Sequence, residues 1–165
     1  MPLTKEKIEY IEALAETTLD DSLQKKIVLP IPIRRVVAYH DLTLKVGKFD
    51  DSEIAGSYDR TERTIYISEK DGYTRASFTI AHELGHYLLH ADFPSEVFYR
   101  SASYLQDDTV QIEAEANCFA ACLLMPRTKM KIFYPFLRNE PEKLADLFGV
   151  SKIAMNYRIK NMGLR

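Results

Sequence analysis

The sequence predicts an α+β fold in which a small three-stranded antiparallel sheet sits among helices. Three short runs, LTLKVGKF (42–49), EIAGSYD (53–59) and RTIYIS (63–68), combine alternation with β-branched residues and are separated by turn residues at Asp50-Asp51 and around Arg60. After Asp71-Gly72 the pattern turns helical, over about 74–91, 109–125, 127–137, 141–148 and 151–161. With 165 residues, 46% of them hydrophobic, the chain can bury one good core, with room for a small appended module.

The first element is a helix in TKEKIEYIEALAETTL (4–19), where Ile8, Ile11, Leu14, Ala15 and Leu19 recur at helical spacing behind Thr4 as N-cap. Pro30 and Pro32 interrupt the chain, and a short helix starts near Ile33. The third strand is the clearest, with Ile65 and Ile67 on one face and Thr64, Tyr66 and Ser68 on the other. The stretch from Asp92 to Asp108 is the least regular and is assigned to the rim of a cleft.

Composition narrows the function classes. A net charge of −2 gives no general attraction to nucleic acid or anionic lipid. The N-terminus is charged from Lys5 onward without an apolar signal-peptide core, and no run reaches the roughly 18 apolar residues of a membrane span. Cys118 and Cys122, four apart on a predicted helix, read as small buried thiols rather than a disulfide. A cytoplasmic protein without membrane contact is the expectation.

The chemistry concentrates in TIAHELGHYLLH (79–90). His82 and His86, four apart on a helix, differ by about 40° in azimuth, so both imidazoles can reach one ion. Glu83 lies about 100° from His82, beside such an ion, where it can take a proton from water. Ala81, Leu84 and Leu88 form a separate apolar stripe that anchors the helix without the histidines, and Gly85 points to a close approach at that turn. His90 is placed in a supporting shell, because ligands at i, i+4 and i+8 spread over about 12 Å of helix axis. Asp92 stands where a metzincin would carry its third histidine.

A further ligand is sought in QIEAEANCFAACLLMP (111–126), whose core stripe is Ile112, Ala116, Phe119 and Leu123. Glu113 and Glu115 flank that stripe on opposite sides, and helical geometry alone leaves both open. HELGH followed by EAEANCFAACLLMP resembles the ImmA/IrrE family of zinc metallopeptidases, most specifically across residues 75–126. The resemblance implies a zincin-like core of the gluzincin type, one zinc ion held by His82, His86 and Glu113, and Asn117 supporting a ligand histidine. Arg75, ahead of the motif, also matches the family, as packing, ion-pair or substrate-contact residue.

Under that resemblance the chain is a zinc metalloendopeptidase with Glu83 as catalytic base. Its protein substrate is a helix-turn-helix repressor, cleaved to derepress a phage, mobile element or stress regulon, which makes the enzyme an antirepressor in transcription regulation. RTIYIS is the natural edge strand to pair with substrate. Tyr66, Tyr99 and Arg100 are oxyanion-stabiliser candidates by residue type only.

The last segment, EKLADLFGVSKIAMNYRIKNMGL, supports a competing function. Leu144, Ala145, Phe148, Gly149 and Val150 fit a helix-turn-helix, with Ser151 as N-cap of its second helix. Arg158 stands where a hydrophobe is expected. The expected division is a peptidase-like domain over 1–137 and a helix-turn-helix-like segment over 138–165, packed on the same core. In the alternative, the protein is a DNA-binding transcriptional regulator with a structural or sensory zinc site. Lys152, Arg158, Lys160 and Arg165 then form the basic patch, which is short of the six or more phosphate contacts of tight binders, so one monomer binds DNA weakly.

Overall fold

A computed structural model describes residues 2–50, 55–92, 97–99 and 107–164, without the side chains of 97–99 and 107–109. The first helix, α1 (Lys5–Ser22), starts where the Thr4 hydroxyl accepts the Lys7 N–H at 3.2 Å, and it buries Ile11, Ala15 and Leu19. A short helix, α2 (Ile33–Tyr39), follows the two prolines and buries Ile33, Val36 and Val37.

The α+β class holds, but the sheet is mixed and has four strands. Its order is β1 (Thr43–Gly47), β3 (Thr64–Ser68), β2 (Gly56–Asp59), β4 (Val97–Tyr99). The β2–β3 hairpin is antiparallel, with Tyr58 opposite Ile65. That hairpin occupies one edge of β3, so β1 takes the other and pairs parallel, Leu44 opposite Ile65. The expected three-stranded antiparallel sheet is corrected on both counts. Alternation identifies which face a strand buries, not which neighbour it takes. Strand β4 falls within the stretch read as irregular and pairs antiparallel with β2. Most of the rest of that stretch, including Arg100, lies outside the described residues.

The metal-motif helix α3 (Tyr73–Leu89) packs on β2 and β3 with one side and on α4 (Asp107–Leu124) with another. Gly85 is a point of close approach between α3 and α4. A Cβ there would lie 3.1 Å from Phe119 Cδ1 and 3.3 Å from the Ala116 carbonyl oxygen, so even alanine would push the helices apart. Helix α1 covers the far side of α4.

Helices α5 (Arg127–Leu137), α6 (Pro141–Phe148) and α7 (Lys152–Asn161) close the chain. Helix α6 ends on Gly149, whose φ of 66° is left-handed backbone that glycine adopts at little cost. Ser151 then caps α7 by accepting the Ala154 N–H at 3.1 Å. Leu144, Ala145, Phe148, Val150 and Met155 join the same buried cluster as Ile11, Ile65, Leu84 and Phe119. Among the described residues, no helix is long and apolar enough to cross a membrane.

Candidate metal centre

Helix α3 presents His82 and His86 on one face, and α4 brings Glu113 against them. The two histidines are completely buried, and their Nε2 atoms lie 3.0 Å apart. Glu113 reaches both, with Oε2 3.2 Å from His82 Nε2 and Oε1 3.1 Å from His86 Nε2. The ligand atoms of the three residues all fall within 4.8 Å of one another.

The outer nitrogens decide what faces inward. His82 Nδ1 is 2.9 Å from Asn117 Oδ1, a pure acceptor, so Nδ1 carries the proton and Nε2 is left with its lone pair. His86 Nδ1 is 3.0 Å from His90 Nδ1, and His90 Nε2 lies 3.3 Å from Glu115 Oε2. Glu115 accepts the His90 Nε2–H, His90 Nδ1 therefore accepts from His86, and His86 Nε2 also turns a lone pair inward. Two lone pairs and a carboxylate converging at about 3 Å repel one another unless a cation lies among them. A tetrahedral zinc with bonds of about 2.0–2.1 Å has ligand–ligand edges of about 3.3 Å, so the donor set fits zinc in kind and in spacing.

Burial pushes the Glu113 carboxyl up, but the closeness of His82 and His86 more than offsets it and holds the group ionised, far below the usual carboxylate range. Burial and the neighbouring His86 lower the His90 pKa against the opposing pull of Glu115, which agrees with a neutral ring.

Glu83 is fully buried on α3. Its Oε1 would lie 3.6 Å from a Cβ placed on Gly56, and that Cβ would also stand 2.4 Å from Thr79 Cγ2. Strand β2 thus presses bare backbone against the carboxylate. The structure therefore brings His82, His86, Glu113 and Asn117 together, with Glu83 on the same buried helix and His90 behind His86.

Other candidates are placed elsewhere. The Tyr66 hydroxyl donates to Glu62 and its ring lies beneath Lys45, on the sheet face opposite the buried Ile65 and Ile67, so it does not reach the cluster. RTIYIS is not an edge strand, since β1 and β2 occupy both sides of β3; among the described residues β1 and β4 are the edges. Tyr99 belongs to β4, with its side chain outside the described residues. Arg75 pairs with Asp71 at 3.1 Å. Arg158 is buried: its guanidinium donates to the Met125 carbonyl at 3.1 Å, to Cys122 Sγ at 3.3 Å and to Glu12. It therefore drops out of the expected basic patch. Lys152 pairs with Glu142, while Arg165 lies outside the described residues. Cys118 and Cys122 are free thiols.

Sequence reasoning weighed Glu115 only as the alternative to Glu113 for the metal ligand. It is 5% exposed and gathers His90, Lys7 at 3.3 Å and Gln111 at 3.1 Å. The i, i+4 spacing of His86 and His90 and the two-residue offset of Glu115 from Glu113 were its only traces in the sequence.

Paired histidines four apart, a carboxylate from a second helix and a glutamate beside the first histidine, all on an α+β scaffold, are features of the HExxH metallopeptidase class. The family model described as the IrrE N-terminal-like domain matches residues 37–160, and the chain belongs to that family, the ImmA/IrrE metallopeptidases. It is similar to Metallopeptidase ImmA of Bacillus subtilis (strain 168), at 25% identity over 107 residues, which is 64% of this chain and 62% of that protein. Its fold resembles a Mycobacterium tuberculosis transcriptional regulator, with a TM-score of 0.70 at 15% identity, over 92% of this chain and 46% of that one.

Proposed function

We propose that this protein is a zinc-dependent endopeptidase in which His82, His86 and Glu113 hold the ion and Glu83 is the catalytic base. The observation that carries this is the forced tautomer pair: both ligand histidines are protonated outward, onto Asn117 and His90, so both aim lone pairs at the Glu113 carboxylate. Zinc, when bound there, supplies Lewis acidity that brings the pKa of a water to about 7 and polarises the peptide carbonyl. Glu83, held by α3 against β2, accepts the proton of the attacking water and returns it to the departing amine. Asn117 and His90 hold the two rings in orientation while charge builds beside them.

The substrate in this reading is a protein, namely a helix-turn-helix repressor whose loss derepresses a mobile element or stress regulon. Family membership supports it. The outer edge of β4, unpaired among the described residues and next to β2, which carries the Gly56 backbone over Glu83, takes the substrate-pairing role first given to β3. Burial of Arg158 counts against the DNA-binding alternative, because it removes one of four expected phosphate contacts.

Glu83→Gln is the direct test. It should retain one zinc per chain and cut a helix-turn-helix repressor at least about 100-fold more slowly than wild type, the lower range for losing a general base. A Glu83→Gln protein that cuts at the wild-type rate would rule out the mechanism.

A further inference from the structure

The hydrogen-bonded thread behind His86 does not stop at Glu115. It continues to Lys7, on α1, ahead of the residues 37–160 that the family model matches. Glu115 Oε2 is shared, with Lys7 Nζ at 3.3 Å and His90 Nε2 also at 3.3 Å. The other oxygen, Oε1, takes the Gln111 amide at 3.1 Å. Gln111 sits one turn earlier on the same helix and moves with Glu115. Lys7 comes from a separate helix, so it fixes the carboxylate against another element.

Three observations set this pair apart from a surface ion pair. The Glu115 side chain is 7% exposed, whereas Lys5–Glu9, also on α1, is open to solvent at both ends and contributes little. The backbone under Lys7 is held: its N–H is the one that Thr4 caps, and Ile11, Ala15 and Leu19 seat α1 in the core. The far end of the thread is held as well. Arg60 donates to the His90 carbonyl at 2.8 Å, where α3 ends, and anchors the His90 backbone. The aim of the His90 ring is then set by the partners of its two nitrogens, His86 and Glu115.

We propose that Lys7 is a positioning residue of the metal centre. By fixing Glu115 Oε2 it aims the His90 ring, and that ring aims His86 at the ion. Lys7 touches neither ion nor substrate. The proposal rests on the zinc-site reading and extends the centre to α1, which becomes part of what sets the affinity for zinc.

The test compares zinc affinity in full-length wild type, Lys7→Met, Lys7→Arg and Lys5→Met, by competition with a chromophoric chelator. Lys7→Met keeps the apolar stem and removes the charge. It should bind zinc about 5- to 10-fold more weakly, at the low end for partners that support a ligand ring. Lys7→Arg supplies a cationic donor again and should return to within about two-fold of wild type. Lys5→Met, which breaks only the exposed pair, should match wild type. A second readout follows the proton on His90 Nε2 by nitrogen-15 NMR of the zinc-loaded protein. Its exchange with water should be faster in Lys7→Met and unchanged in Lys7→Arg. Lys7→Leu serves the same comparison if Lys7→Met does not fold. Either wild-type zinc affinity or unchanged exchange in the folded apolar variant overturns the proposal and leaves the metal reading standing. Equal weakening by Lys7→Met and Lys7→Arg does the same. A wild type that binds no zinc overturns the metal reading, and the role of Lys7 with it.

Discussion

His86 Nδ1 and His90 Nδ1 lie 3.0 Å apart, and one proton sits between them. Glu115 decides who owns it. Held by Lys7 and Gln111, its carboxylate is depressed below its ordinary pKa: burial pushes it up, while bonds from Gln111, His90 and Lys7 outweigh that. An ionised Glu115 draws the His90 proton to Nε2, and His90 Nδ1 becomes the acceptor that locks the His86 tautomer. His90→Leu removes that acceptor inside a buried site and should weaken zinc binding about 10- to 100-fold. His90→Gln offers an amide oxygen to His86 and an amide N–H toward Glu115, so it should recover most of the loss. Competition with a chromophoric chelator measures both. Equal weakening by the two variants would show that ring packing, not hydrogen-bond polarity, is what His90 provides.

At the level of elements, α7 is fastened by a buried charge beside its buried Met155. Arg158 links α7 to the end of α4 through the Met125 carbonyl and Cys122, and to α1 through Glu12, which Arg127 also grips at 2.9 Å. Burial raises the Glu12 pKa, but the two arginines pull it below its ordinary value of 4.5. Arg158→Met should cost about 3 kcal/mol at pH 7, since it leaves Glu12 with one partner in a largely buried place. A carboxylate depressed on folding adds stability that is full above its unfolded pKa and is lost as pH falls through the folded one. The gap in denaturation midpoint between wild type and Arg158→Met should therefore be wide at pH 7 and narrow as pH falls below about 4.5. A gap that does not change with pH would mean that the arginine stem, not its charge, holds α7.

Across the whole molecule, what was legible in the sequence followed local periodicity. The helices, the Thr4 and Ser151 caps and the close approach at Gly85 are written in residues a few positions apart. The convergence of His82, His86 and Glu113 needed only two helices and a resemblance to choose between two glutamates. The parallel β1 and the Glu12–Arg158 pair were not legible, because they join distant segments through tertiary contact that no short pattern encodes. That contact also bears on the expected boundary at residue 137. Residues 138–165 contribute Leu144, Phe148, Val150 and Met155 to the shared core. At about 1.5–3 kcal/mol for each large apolar side chain, the four supply roughly 6–12 kcal/mol, comparable with the ~5–15 kcal/mol total of an ordinary domain. A 1–137 fragment should therefore keep helical far-ultraviolet dichroism but lose the near-ultraviolet signal of its tyrosines and its cooperative melt. A fragment that melts sharply and binds one zinc would make the C-terminal helices an appendage; without such a melt, they are a structural wall of the same domain that houses the His82, His86 and Glu113 cluster.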